Sequence, residues 1–152
     1  MQTPIPPTYD DAVLVLKLYE LRREDRLRAA REWFGTRFFP QAYEEVRAVA
    51  LGTGIENAHW RMVTSYWDMA ASFVARGVLH PELFFDSGGE ALLVWAKLEP
   101  FIAQLREETQ APRLLANVER AIAMVPWVEE RVRTIRGRLP GLRDRLLKDS
   151  KS

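Results

Sequence analysis

Apolar residues recur at three- and four-residue intervals along most of the chain, and no segment of useful length alternates with period two. The pattern therefore predicts helices and no strands. It is clearest over 54–76. There Ile55, His59, Met62, Tyr66, Met69 and Phe73 form one row, and Val63, Trp67, Ala70 and Val74 form a second beside it. Asn57, Arg61, Thr64, Asp68, Ser72 and Ala75 make the polar stripe. An apolar face this wide predicts a helix at the centre of a bundle. Gly77 supplies a left-handed stop, after which Val78 and Leu79 are expected to pack back on the last turn.

The flanking segments read the same way. Thr8-x-x-Asp11 is a capping-box start, and Ala12, Val13, Leu16 and Tyr19 follow at helical spacing, with Leu27 and Ala30 further on. The stretch 22–25 is polar all round and predicts a break. A second helix from about Asp25 to Phe34 follows, with Gly35 as its stop. Trp33, Phe34, Phe38 and Phe39 crowd the connector before Pro40, which is expected to open a helix over 41–51. Thr53-x-x-Glu56 and Ser87-x-x-Glu90 read as further capping boxes, and 80–85 as a helical turn at most.

The helix after Ser87 carries a core row of Ala91, Trp95, Leu98, Ile102 and Leu105, with Pro100 kinking it in phase. Pro112 opens the last helical region, where Leu114, Leu115, Val118, Ile122 and Val125 face inward and Pro126 kinks or restarts the helix. Val128, Val132, Ile135, Leu139, Leu142 and Leu146 then form a heptad seam. Gly137, Pro140 and Gly141 predict firm helix only to about Arg136. The expected fold is all-α: an irregular bundle of five or six helices with kinks at Pro100 and Pro126. It comprises an extended arm over 1–7, a single domain over 8–148 and a frayed tail over 149–152.

Composition narrows the chemistry more than the fold. A chain of 152 residues, 47% hydrophobic and 28% charged, suits one self-sufficient core and not wholesale disorder. With no cysteine there is no disulfide, thiolate metal site or cysteine nucleophile. No apolar run approaches the length of a membrane span, and no secretory signal is seen, so the cytoplasm is the expected location. No cofactor is expected.

The net charge of +1 conceals an asymmetry. Residues 128–152 hold eight bases and four acids, a surplus of four, which leaves the remainder at −3. Arg131, Arg133, Arg136 and Arg138 are the candidate contacts for a polyanion. Acids alternate with these bases, so the segment also reads as a solvated face of short-range ion pairs, with weak binding and no specific nucleic acid.

Catalytic patterns are weak. Glu56-x-x-His59 places a carboxylate and an imidazole on one face, but a di-metal bundle repeats that motif on a second helix, and His80 has no such partner. His59 is therefore expected to be structural, and no metal ligand is assigned. There is no Gly-x-Ser-x-Gly elbow, and Asp86-Ser87-Gly88-Gly89 lacks the lysine of a phosphate loop. Trp67 and Trp95 fall on core rows, Trp60 at the edge of one, and Trp33 and Trp127 beside breaks.

Tyr66-Trp67-Asp68-Met69-Ala70-Ala71, Val74-x-x-Gly77-Val78-Leu79 and Glu82-Leu83-Phe84 resemble a group of small bacterial helical proteins catalogued only as a domain of unknown function. Trp95, Pro100-Phe101-Ile102 and Leu105-Arg106 extend the resemblance, which covers roughly residues 10 to 122. It implies a helical module, soluble or membrane-associated, and carries over no catalytic residue. The function expected is a non-enzymatic interaction module that forms a homodimer or binds an unidentified protein partner. Trp33, Phe38, Phe39, Val128, Val132, Ile135 and Leu139 are the candidate interface, with the heptad seam meeting its copy across a two-fold axis. The alternatives are a nucleic-acid or anionic-surface binder and a small helical enzyme or ligand carrier built on His59, Tyr66 and Asp68.

Overall fold

The computed structural model describes residues 5–150, and among them it contains helices and no strand. The helices are α1 (Tyr9–Leu21), α2 (Asp25–Thr36), α3 (Tyr43–Ala50), α4 (Ile55–Ala75), α5 (Pro81–Ser87), α6 (Gly89–Thr109), α7 (Ala116–Ala123) and α8 (Pro126–Asp149). The all-α expectation holds. The count is eight among the described residues, not five or six, because short breaks isolate α5 and α7.

His80 caps α5, its Nδ1 accepting from the Leu83 N–H at 3.3 Å. Pro81 takes the first turn, so what was expected to be a turn is a helix. Gln110 and Leu115 both adopt left-handed backbone and cut α7 away from α6. Pro126 opens α8 at its first turn instead of kinking a continuous helix, whereas α6 runs through Pro100.

The centre is α4, packed against α2, α3 and α7, while α6 packs against α8, α3 and α7. Of the two rows on α4, the core is the second: Val63, Trp67, Ala70 and Val74 are buried together with Trp60, Thr64, Tyr66 and Ala71. In the first row Ile55 and Met69 are exposed, so the core face is rotated by part of a turn from the one expected. Thr64 lies in the buried face because its hydroxyl donates to the Trp60 carbonyl at 2.8 Å. On α6 the row Ala91, Trp95, Leu98, Ile102 and Leu105 is buried as expected.

Several caps differ from the sequence reading. Thr8 and Asp11 form their box, with the Thr8 N–H 2.7 Å from the Asp11 carboxylate. Ser87 instead closes α5, and Glu90 pairs with Arg31 at 2.8 Å, so no box opens α6. Gly88 holds that corner, where a Cβ would sit 2.8 Å from the Phe84 carbonyl oxygen. Gly54, at φ 107°, starts α4 without help from Thr53. Pro40 lies ahead of α3, which begins at Tyr43 once Glu45 has taken the Gln41 and Ala42 N–H groups. Gly77 makes its left-handed stop, but only Leu79 packs back, and Val78 faces solvent.

Helix α8 is the largest departure. It continues through Gly137, Pro140 and Gly141 to Asp149. Leu139, Leu142 and Leu146 are half-buried along the stretch that was expected to weaken. Asp149 is thus helical, while Lys151 and Ser152 of the expected frayed tail lie outside the described residues. Of the expected extended arm, Ile5, Pro6 and Pro7 are exposed and non-helical, and residues 1–4 lie outside the described set.

Candidate functional site

Two places stand out: the outer face of α1 and a buried lysine on α6. Helix α1 is apolar on both sides. Leu18 is buried, and Leu14 and Val15 pack beside it on the core. The opposite side presents Tyr9, Val13, Leu16 and Tyr19 to solvent, with Tyr9 83% and Leu16 62% exposed. Ala12 lies among them and is also exposed. Ala12, Val13, Leu16 and Tyr19 follow the helical spacing read from the sequence, and the structure turns this row to solvent. Both rows share helical spacing, so periodicity alone does not say which one meets the core.

The helix is held firmly from behind. The Tyr66 hydroxyl donates to the Leu18 carbonyl at 2.5 Å. The Asp11 carboxylate accepts from the Thr8 N–H and, at 2.9 Å, from the His80 N–H. Those two backbone donors hold the Asp11 carboxyl below its ordinary range. The charges on α1 are polarised: Asp10 and Asp11 lie in its first turn, while Lys17, Arg22 and Arg23 lie toward its end, with Glu20 among them. The Arg22 and Arg23 guanidinium carbons sit 5.1 Å and 5.9 Å from the Tyr19 ring centre.

The residues singled out from sequence are not brought together as one surface. Val128 and Val132 are 0% and 3% exposed, and Ile135 packs on the same core. Half of the seam is thus covered by its own bundle and does not face outward as the dimer seam requires. Phe38 is buried, and half-buried Trp33 stacks on it at 4.9 Å. Phe39 and Leu139 are half-buried. Among the arginines, Arg131, Arg133 and Arg138 are exposed. Arg136 is occupied, donating from Nε to the Ala96 carbonyl at 3.0 Å and from Nη2 to Glu99 at 2.8 Å.

His59 is half-buried beside Trp33, and its Nδ1 is buried with no protein partner. No cluster of metal-ligating side chains occurs among the described residues. Asp68 does not join His59 and Tyr66. It reaches across to α7 and accepts from the Asn117 N–H at 3.0 Å, the Asn117 side-chain amide at 3.0 Å and the Val118 N–H at 3.2 Å. A carboxylate on one helix thereby caps the positive end of another.

Lys97 does the converse and was not singled out from sequence. It is 2% exposed. Its Nζ donates to the Phe34 carbonyl at 2.5 Å and the Phe38 carbonyl at 2.7 Å, at the carbonyl-rich end of α2. The Phe39 ring centre lies 3.8 Å from Nζ. Burial pulls the Lys97 ammonium down to about 7. Beside it is a cavity of about 140 Å³ lined by Phe39, Pro40, Lys97, Arg136, Leu139 and Arg143, among others. The clue was present: Lys97 is the one charged residue in the apolar run 91–98.

A family model described as a domain of unknown function, DUF4760, matches residues 7–124. No curated protein and no solved structure gives a significant match.

Proposed function

The chain belongs to the DUF4760 family, a domain of unknown function, and from that premise we propose that it is a non-enzymatic helical interaction module that pairs with a second copy of itself through the outer face of α1. One observation carries this reading. Tyr9, Val13, Leu16 and Tyr19 form an exposed apolar stripe on a helix whose other side is already docked. A surface helix of a lone domain presents polar residues outward, and an apolar row there asks for cover.

The second copy is favoured by charge. A two-fold axis perpendicular to α1 sets the two copies of the helix antiparallel, which brings exposed Asp10 of one near exposed Lys17 and Arg23 of the other. The helix dipoles then also oppose. Tyr9 and Tyr19 suit an interface, offering large rings at small cost in side-chain entropy. The predicted result is a dimer in light scattering that Leu16→Glu converts to a monomer with its helicity intact. A wild-type monomer at tens of micromolar would overturn the reading.

Polyanion binding through exposed Arg131, Arg133 and Arg138 is the weaker proposal, because Arg136 is tied to Glu99 and Arg143 to Asp144.

A further inference from the structure

Lys97 has a use beyond holding α2 in place, and this is independent of how α1 pairs. The chain meets nearly every need for positive charge with arginine: it has eighteen arginines and four lysines. A guanidinium would offer more donors to two carbonyls, yet among the described residues the fully buried basic group is an amine, which unlike a guanidinium can lose its proton and act as a nucleophile.

We propose that Lys97 is a covalent docking site for a small carbonyl compound bearing an acidic group, of the 2-oxo acid class, which condenses with its amine to form an imine. Three features place this chemistry. First, the amine borders a cavity of about 140 Å³, room for a molecule of a few heavy atoms. Second, Arg136 and Arg143 line the same cavity, and their guanidinium groups would receive the ligand's carboxylate. Each already holds one acid, Glu99 and Asp144 respectively, and those acids are more exposed than the arginines. Third, the walls are otherwise mostly apolar, formed by Phe39, Pro40, Leu139 and Pro140, with Gln41 against Arg143.

The chemistry closes without a further reagent. The Nζ lone pair attacks the carbonyl carbon and a C–N bond forms, the C–O bond breaks, and the oxygen leaves as water with both amine protons, giving an imine that takes one proton from solvent. No electron is transferred. A neutral amine has two N–H groups for the Phe34 and Phe38 carbonyls, so its lone pair is the remaining valence. Burial leaves a large share of Lys97 neutral near pH 7, whereas exposed lysines are about 0.04% neutral there. The half-buried Phe39 ring over the amine is the group that must move to admit a ligand.

Glyoxylate with cyanoborohydride at pH 7.4, followed by peptide mass mapping, tests this on the full chain. The expected result is a carboxymethyl group on Lys97, formed about tenfold or more faster than on Lys17 or Lys148. Phe39→Leu should speed labelling without touching the amine. Arg143→Gln should remove the preference for glyoxylate over neutral propanal, read as the ratio of the two adducts on Lys97. Lys97→Arg should abolish the fast adduct, and the wild-type map stands alone if that variant fails to fold. Labelling confined to the exposed lysines and the N-terminus overturns the proposal. Equal labelling of Lys97 by glyoxylate and propanal overturns the acidic-ligand assignment.

Discussion

Helices α1 and α8 both carry apolar rows, and the molecule treats them in opposite ways. On α8 the row Val128, Val132 and Ile135 closes onto α6, and the leucines beyond stay half-covered against the bundle. On α1 the inner row, Leu14, Val15 and Leu18, is enough to dock the helix, and the outer row from Tyr9 to Tyr19 is left bare. The heptad seam thus looks like the stronger interface in the sequence, yet its best residues are internal. The lesson is that an apolar row signals a partner surface only when the helix has a second row to hold it in place. Helix α8 is mostly polar on the far side, where Arg131, Arg138 and Arg145 are exposed and Trp127 is the apolar exception. Helix α1 has both rows.

That contrast breaks most easily at Val132. Val132→Asp puts an unpaired charge into the contact between α6 and α8 and should cost about 3–5 kcal/mol in urea unfolding. A loss under 1 kcal/mol, about the size expected for a surface change, would mean that the seam is not core.

Lys97 gives the next largest effect, read through pH. Its amine is held near 7 in the fold and returns toward 10.5 on unfolding. Between these values the unfolded chain binds more protons, so stability should rise with pH from about 7 to 10.5. Below 7 both states are protonated and the burial cost is fully present. The rise attributable to this group is up to about 5 kcal/mol, and Lys97→Met should remove it from the stability–pH profile. Parallel profiles for wild type and variant would show that the amine stays charged in the fold.

Asp68→Ala should cost about 1–3 kcal/mol by uncapping α7, with amide exchange rising first at Asn117 and Val118. The smallest effect is expected on the outer row of α1, where Leu16→Glu should leave monomer stability within about 0.5 kcal/mol in urea unfolding.

Much of this architecture was legible in the residues. The Thr8–Asp11 box, the Gly77 stop and the core row of α6 follow from local spacing alone. The rotation of α4 was not legible, because Met62 and Val63 stand in rows of nearly equal hydrophobicity and only the positions of α2 and α7 choose between them. Gly137, Pro140 and Gly141 disfavour helix locally and predict a weaker segment after Arg136, whereas α8 continues to Asp149 with Leu139, Leu142 and Leu146 half-buried along it. Among the site residues, Asp68 reads in the sequence only as part of the polar stripe of α4, since its partner lies 49 residues away on α7. Lys97 was passed over although its setting, a lone charge among Trp95, Ala96 and Leu98, is visible in the chain itself. An isolated charge within an apolar row is a sign of a distant cap or of chemistry.

The account rests most heavily on the bare face of α1. Sedimentation equilibrium of the wild-type protein and of Leu16→Glu, each at tens of micromolar, measures its central claim directly. The account predicts a dimer for the wild type and a folded monomer for the variant. A monomeric wild type, or a dimer that Leu16→Glu leaves intact, would contradict it.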